Sequence, residues 1–198
     1  MVGASGCVGS AVVQIAAASG AKVTAICPSS NAGIVTFLGA RQVIDCIKTP
    51  LHTIQECFDL VFDTTGLINI DGAKRLLKPQ GKALLAVPDL GTMLLAPLSK
   101  LGWGIEVFCG PASEQKELLV RLVKLVQEGT FHPVIETYFP FDHLVNAHRL
   151  VDSGLKRGSA VVLHYAPRSS YSNIRQFSDG MPYKNHSNDV LACETQPG

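Results

Sequence analysis

Gly3-Ala-Ser-Gly6-Cys-Val-Gly9 is followed by a stretch, Ser10 to Ser19, that carries Val12, Val13, Ile15 and Ala16 at helical spacing. A glycine loop feeding a helix is how a Rossmann unit offers backbone N–H groups to a pyrophosphate. The glycines permit the tight turn and the close approach of phosphate, and the helix N-terminus favours negative charge. The spacing here is G-x-x-G-x-x-G rather than the usual G-x-G-x-x-G, which puts Gly6 at the turn and Gly9 at the contact between helix and strand. Taken alone, such a triplet is equally well an ordinary tight turn, so its meaning depends on the order of elements after it.

Beyond the loop, strands and helices alternate. Gly20 is placed to end the first helix in the left-handed conformation, and Lys22–Cys27 is a β-branched run that reads as a buried strand. A helix over 31–38 stops at Gly39, Gln42–Ile44 is a second strand, and Phe58–Phe62 a third, closed by Asp63-Thr-Thr-Gly66. Ile68–Lys78 reads as a helix stopped by Pro79, and Lys82–Val87 as the next strand. Residues 90–104 show no clean period, and Ile105–Phe108 reads as a strand. Ser113 is placed to cap a helix over Glu114–Glu128 with Leu118, Leu119, Leu122, Val123 and Val126 on one face and Gly129 as its stop. Val134–Tyr138 is a strand, Asp142 is placed to cap a helix running to Ser153, and Ser159–Tyr165 is the last strand. The alternation predicts an α/β fold, a doubly wound parallel sheet covered on both faces. Residues 1–132 form its dinucleotide-binding domain and 133–166 a C-terminal segment. From Pro167 the composition turns to Ser, Asn, Asp, Gly and Pro without periodicity, so 167–198 reads as a disordered tail.

The chain has 198 residues, of which 46% are apolar, enough for a sizeable core. Its formal net charge of +1, without basic runs, argues against a nucleic-acid or anionic-membrane partner. The six cysteines are scattered, without C-x-x-C or zinc-like Cys/His spacing, and read as reduced thiols of a reducing compartment. No apolar run reaches the roughly 18 residues of a spanning helix, and there is no secretory or Arg-rich leader pattern. The expected compartment is the cytoplasm, or the mitochondrion if a leader lies upstream.

A second discriminator sits about 20 residues past the glycine loop, where NAD-preferring sites place Asp or Glu for the ribose 2′-hydroxyl. The residues there are Cys27-Pro-Ser-Ser-Asn31, neutral and rich in hydroxyls. Ser29, Ser30 and Asn31 have donors for a 2′-phosphate, which points to NADPH over NADH, although the turn carries no Lys or Arg. An ordinary Pro-Ser loop is the competing reading.

The glycine loop, Gln14 in its helix, Gly39-Ala-Arg-Gln-Val-Ile-Asp45 and Asp63-Thr-Thr-Gly66 together resemble the cofactor domain of the medium-chain dehydrogenase/reductase superfamily. Within it they resemble the zinc-free, NADPH-dependent quinone oxidoreductase branch. Gly129-Thr-Phe-His-Pro-Val-Ile135, Phe139-Pro-Phe, Ala147-His-Arg-Leu and Gly154-Leu-Lys-Arg-Gly158 resemble that branch's C-terminal pattern, with similar wording in the reticulon-interacting oxidoreductases. The resemblance spans about residues 2–164. It implies that Ser5, Gly6, Cys7, Val8 and Gly9 surround the pyrophosphate and that Ser29, Ser30 and Asn31 meet the 2′-phosphate. It further implies that Thr64, Thr65 and Gly66 line the adenine or ribose side, while Val87, Phe108, Cys109 and Gly110 lie near the nicotinamide. The implied activity is hydride transfer to a quinone or an activated enone or carbonyl, with no catalytic metal. His132, His143 and His148 read as surface residues. A homodimer joined at the edge of the Rossmann sheet, through the Ile105 region, is also implied.

Two departures stand beside this resemblance: the tail from Pro167, where such enzymes end soon after the last strand, and a missing N-terminal lobe. Such enzymes carry an N-terminal GroES-like lobe that walls the substrate cleft, and here only Met1 and Val2 stand before the glycine loop, so the first strand is largely missing. The segment 133–166 then reads as a remnant of the substrate lobe, left without its partner. Other readings are a catalytically inactive nucleotide-binding or regulatory fragment, and a zinc-type alcohol dehydrogenase or enoyl reductase.

Overall fold

The computed structural model of the chain describes residues 1–99, 104–110, 115–154 and 156–164. The expected disordered tail at 167–198, and Ser113 as a cap, lie outside them. Helix α1 (Cys7–Ala18) leads to strand β1 (Thr24–Cys27), α2 (Ala32–Phe37) and β2 (Gln42–Asp45). Then come β3 (Phe58–Asp63), α3 (Ile70–Leu76), β4 (Leu77–Leu85), α4 (Leu90–Leu95) and β5 (Glu106–Cys109). The chain continues through α5 (Lys116–Gln127), β6 (Ile135–Pro140), α6 (Leu144–Asp152) and β7 (Ser159–Leu163).

Every strand pair is parallel, as the alternation of strands and helices requires. Val2 joins the two halves of the main sheet, bridging Ile26 of β1 on one side and Asp63 of β3 on the other. The order is therefore β2-β1-Val2-β3-β4-β5, and the winding reverses at Val2. That position is the topological switch point of a Rossmann sheet. One residue thus stands in for a first strand: the Val2 N–H donates to Phe62 O at 2.8 Å and the Ile26 N–H to Met1 O at 2.8 Å.

Ala25, Ile26 and Cys27 are buried in succession, so β1 is covered on both faces. Ala25 and Cys27 pack with Val13 of α1 and Val35 of α2, whereas Ile26 packs with Val2, Val61, Ala83 and Leu85. Gly20, Gly39 and Gly129 end their helices at φ values of +82°, +108° and +68°, as expected of left-handed C′ residues.

Four local expectations are corrected. The third helix does not reach Lys78: β4 begins at Leu77, which pairs with Phe58 of β3, and Lys78, the residue before Pro79, is itself disfavoured in the helical region. Its register against β3 shifts between Phe58 and Leu60, and Gln80 there has φ +65°. The featureless stretch from residue 90 contains α4, capped by the Asp89 side chain accepting from Thr92 N–H at 2.9 Å. Asp142 caps nothing; it lies in a short 3₁₀ turn, and His143 stands at the N-cap of α6 without a side-chain bond. The amphipathic helix α5 forms as expected, yet Leu118, Leu119, Leu122, Val123 and Val126 are all exposed rather than packed on the sheet.

Candidate functional site

The site is built around the loop between Val2 and α1. Gly3 has φ +74°, open to glycine at no steric cost, and turns the chain so that the Gly6 N–H donates back to Gly3 O at 3.1 Å. Gly6 is the N-cap of α1, in extended conformation and without a side chain bonded across the helix start. The first-turn N–H groups of α1 are thus uncapped by a side chain, and Cys7 and Val8 beside them are exposed. Gly9 is the helix–strand contact: a Cβ there would fall onto the Gly3 carbonyl oxygen and lie 2.9 Å from Ala4 Cα. The helix–strand contact read for Gly9 is found, whereas the left-handed turn falls at Gly3 and Gly6 is extended, with its nearest neighbour 3.4 Å from an added Cβ.

Neighbouring elements converge on this loop. A Cβ on Gly3 would meet Thr64 Oγ1 at 2.5 Å and Thr65 Cγ2 at 2.7 Å, so the turn after β3 lies directly on it. That turn is held by Asp63, 1% exposed, whose carboxylate accepts from Thr65 N–H at 2.8 Å, Thr65 Oγ1 at 2.6 Å and Ile68 N–H at 2.9 Å. Val87, just past the end of β4, covers Gly66, where a Cβ would lie 3.4 Å from Val87 Cβ. Phe108 and Cys109 pair in register with Leu84 and Leu85, which brings Val87 and Phe108–Gly110 to the carboxyl edge of the sheet. Val87 and Phe108 are exposed there.

Ser29 and Ser30 are exposed in the turn after β1, but Asn31 is buried and its Nδ2 donates to Ser5 Oγ at 3.0 Å. Asn31 therefore ties this turn to the glycine loop. A shallow depression lined by Leu51, His52, Asn69 and Arg75 takes in Gly66 but no residue of the glycine loop.

The β6–α6–β7 unit also reaches the loop, and no local signal in the sequence announces that contact. Gly158 N–H donates to Ser5 O at 2.9 Å, Gly6 and Gly158 form a parallel bridge, and Cys7 Sγ lies 2.9 Å from Ser159 Oγ. Gln14, buried in α1, clamps the segment before β6. Its Nε2 donates to His132 O at 3.0 Å, and its Oε1 accepts from His132 N–H at 2.8 Å.

Residues 38–162 match the family model described as zinc-binding dehydrogenase, well over half of the chain. The chain belongs to the zinc-binding dehydrogenase family. This zinc-binding dehydrogenase chain is 29% identical to the mitochondrial NAD(P)H oxidoreductase RTN4IP1 of Mus musculus, over 82% of its length and 46% of the relative's. It is 31% identical to the chloroplastic quinone-oxidoreductase QR1 of Triphysaria versicolor, over 80% of its length and 50% of the relative's. Among solved structures, the quinone oxidoreductase from Coxiella burnetii superposes with a TM-score of 0.70 at 26% identity, over 81% of this chain and 50% of that one. The chain spans about half the length of the curated relatives it matches. The resemblance to the medium-chain superfamily and the Rossmann-type fold expected from the sequence are both found.

Despite the family's name, no group of three or more His, Cys, Asp or Glu among the described residues could hold a metal ion. His132, His143 and His148 do not converge. The glycine loop does fit a dinucleotide pyrophosphate: glycine where helix and strand backbones must approach, Cys7 and Val8 exposed at the helix start, and a 12-residue helix behind them. Among the described residues no helix is long and apolar enough to cross a membrane.

Proposed function

We propose that this chain carries the cofactor half of an NADPH-dependent oxidoreductase that passes hydride to a quinone or an activated enone or carbonyl. The observation that carries this reading is the start of α1, uncapped by any side chain, at the sheet's switch point, framed by Gly3 and Gly9, where an added Cβ would clash with the Thr64–Thr65 turn and with the Gly3–Ala4 backbone. A reduced nicotinamide dinucleotide, when bound, supplies the hydride; the protein's share is binding, orientation and exclusion of competing reactions. Ser5, Gly6, Cys7, Val8 and Gly9 hold the pyrophosphate through loop N–H groups. Ser29 and Ser30 face the adenosine phosphate, while Asn31 positions their turn through Ser5. Thr64, Thr65 and Gly66 line the ribose side, and Val87 with Phe108, Cys109 and Gly110 forms the apolar floor at the nicotinamide end. The names of the relatives, NAD(P)H oxidoreductase and quinone-oxidoreductase, agree with this chemistry.

The domain boundary at 132/133 falls at the Gln14–His132 clamp, with 133–166 belonging to the substrate side. Among the described residues β5 is the edge strand of the sheet, the surface through which a second copy would extend it. The cytoplasmic reading competes with an organellar one, since relatives are named mitochondrial and chloroplastic; fractionation of cells expressing the tagged chain decides between them.

Titrating the chain into NADPH should shift the nicotinamide emission to the blue with saturation, and absence of binding to either NADPH or NADH overturns the proposal. A second reading, a nucleotide-binding module without turnover, is favoured by the uncovered apolar face of α5. Quinone-dependent NADPH oxidation by the chain would defeat it.

A further inference from the structure

The turn after β1 is neutral in sequence, but the fold brings a carboxylate to it. Cys27, the last residue of β1, pairs in register with Asp45, the last residue of β2. Asp45 therefore stands at the carboxyl edge of the sheet beside Pro28 and Ser29, where the adenosine ribose of a Rossmann ligand lies. Its Oδ1 accepts from the Ile47 N–H at 3.0 Å. Its Oδ2 is buried and has no hydrogen-bond partner among the described residues. The nearest cation, Lys48 Nζ, is 3.9 Å from Oδ2 on a side chain that is 79% exposed. The Ile47 N–H holds the carboxyl below the usual carboxylate range, burial working against it and the facing Ser29 hydroxyl and N–H and Lys48 adding to the effect. The group is ionised at neutral pH.

On the other side, the same turn is anchored to the glycine loop by the Asn31–Ser5 bond. A ribose seated between loop and turn would therefore have Asp45 on its flank. A ribose 2′-hydroxyl can donate to Oδ1, which keeps a further lone pair beside its bond from the Ile47 N–H; a 2′-phosphate can donate nothing in its ionised form and brings a second anion. No Lys or Arg in residues 27–31 offsets that.

We propose that Asp45 sets the nucleotide preference, accepting from the 2′-hydroxyl of an unphosphorylated adenosine ribose and working against a 2′-phosphate. The inference rests on the dinucleotide-binding reading of the glycine loop and sharpens it. The turn's hydroxyls favour NADPH, Asp45 opposes them, and the preference is weaker than the turn composition alone would make it.

The test measures dissociation constants of the full chain for NADPH and NADH, and for adenosine 2′,5′-bisphosphate and AMP, which isolate the adenosine end. Asp45→Asn keeps an acceptor for the Ile47 N–H while removing the charge. It should raise the NADPH-to-NADH affinity ratio about tenfold, mostly by tightening NADPH, with the bisphosphate following and the gain shrinking at high salt. Lys48→Ala, at an exposed position, should lower the ratio severalfold and serves if the first variant does not fold. A ratio within about twofold of wild type in Asp45→Asn, with both nucleotides still bound, overturns the inference alone, as does equal weakening of both. Failure of the wild-type chain to bind either nucleotide overturns the dinucleotide reading, and the inference with it.

Discussion

Replacing Gly9 by alanine tests the geometry on which the site depends. The added Cβ would fall onto the Gly3 carbonyl oxygen, 2.8 Å from Gly3 C and 2.9 Å from Ala4 Cα. All three atoms are backbone, and Gly3 and Ala4 are themselves bonded to Ile26 O at 3.1 and 3.3 Å, so no flexible side chain can yield. Overpacking costs roughly 1–3 kcal/mol, and a clash with hydrogen-bonded backbone belongs at the upper end, about 3 kcal/mol. For a chain of this size each kcal/mol moves Tm by about 2–4 °C, so Gly9→Ala should lower Tm by about 6–12 °C. Gly33→Ala is the matched control: it lies in α2 with nothing within 4 Å of a Cβ, and should stabilise by about 0.5–1 kcal/mol. Thermal unfolding followed by far-UV circular dichroism reads both variants. A Gly9→Ala chain melting within about 2 °C of wild type, beside a normally behaved Gly33→Ala, would refute the close approach of helix and strand.

Gln14→Leu removes both bonds to the His132 backbone, costing about 2 kcal/mol, and should accelerate hydrogen exchange through β6 and β7 more than through β3 and β4; uniform change across the chain counts against the clamp. In a preparation with a free Met1 amine, burial pushes the ammonium down to about 6 from 8.0, with Asp63 partly opposing. Its folded pKa lies below the unfolded one, so that stability is complete above about pH 8, falls by about 2–3 kcal/mol as pH drops to 6, and is flat below. Denaturant unfolding of an acetylated chain should lack that difference; an identical pH profile sinks the assignment. Burial, with Cys46 and Asp45 adding to it, pushes the Cys27 thiol up to about 11, so Cys27 should react with a maleimide after the exposed Cys7 and Cys57. Mass mapping that finds Cys27 among the first labelled would contradict its burial.

Much of the fold is legible in the sequence because its signals are local. Gly3, Gly6 and Gly9 announce a backbone that must turn and then pass close to a helix, and Gly20, Gly39 and Gly129 announce left-handed stops. Each follows from the effect of a Cβ at one position. The departures share the opposite cause. Pro79 marks the stop of a helix that has already ended, because the residues before it suit either state and strand pairing with β3 decides the matter. The cap at Asp89 is illegible because the apolar residues after it show no period over so short a helix. In α5 the period of the apolar residues is plain, but periodicity reports that a face exists and not what lies against it.

The candidate site divides in the same way. Composition identifies donors in the turn after β1 without saying which of them are free: Ser29 and Ser30 face outward, while Asn31 commits its amide to Ser5. Nor can composition count a charge delivered from elsewhere. Asp45 lies 18 residues from Cys27 in sequence but opposite it in the sheet, placed there by parallel register. A strand shifted by one residue would turn that carboxylate to the other face. The electrostatics of the proposed ribose site are thus a property of strand pairing, and on that proposal a substitution that altered the register of β2 should change nucleotide preference without touching any residue of the turn.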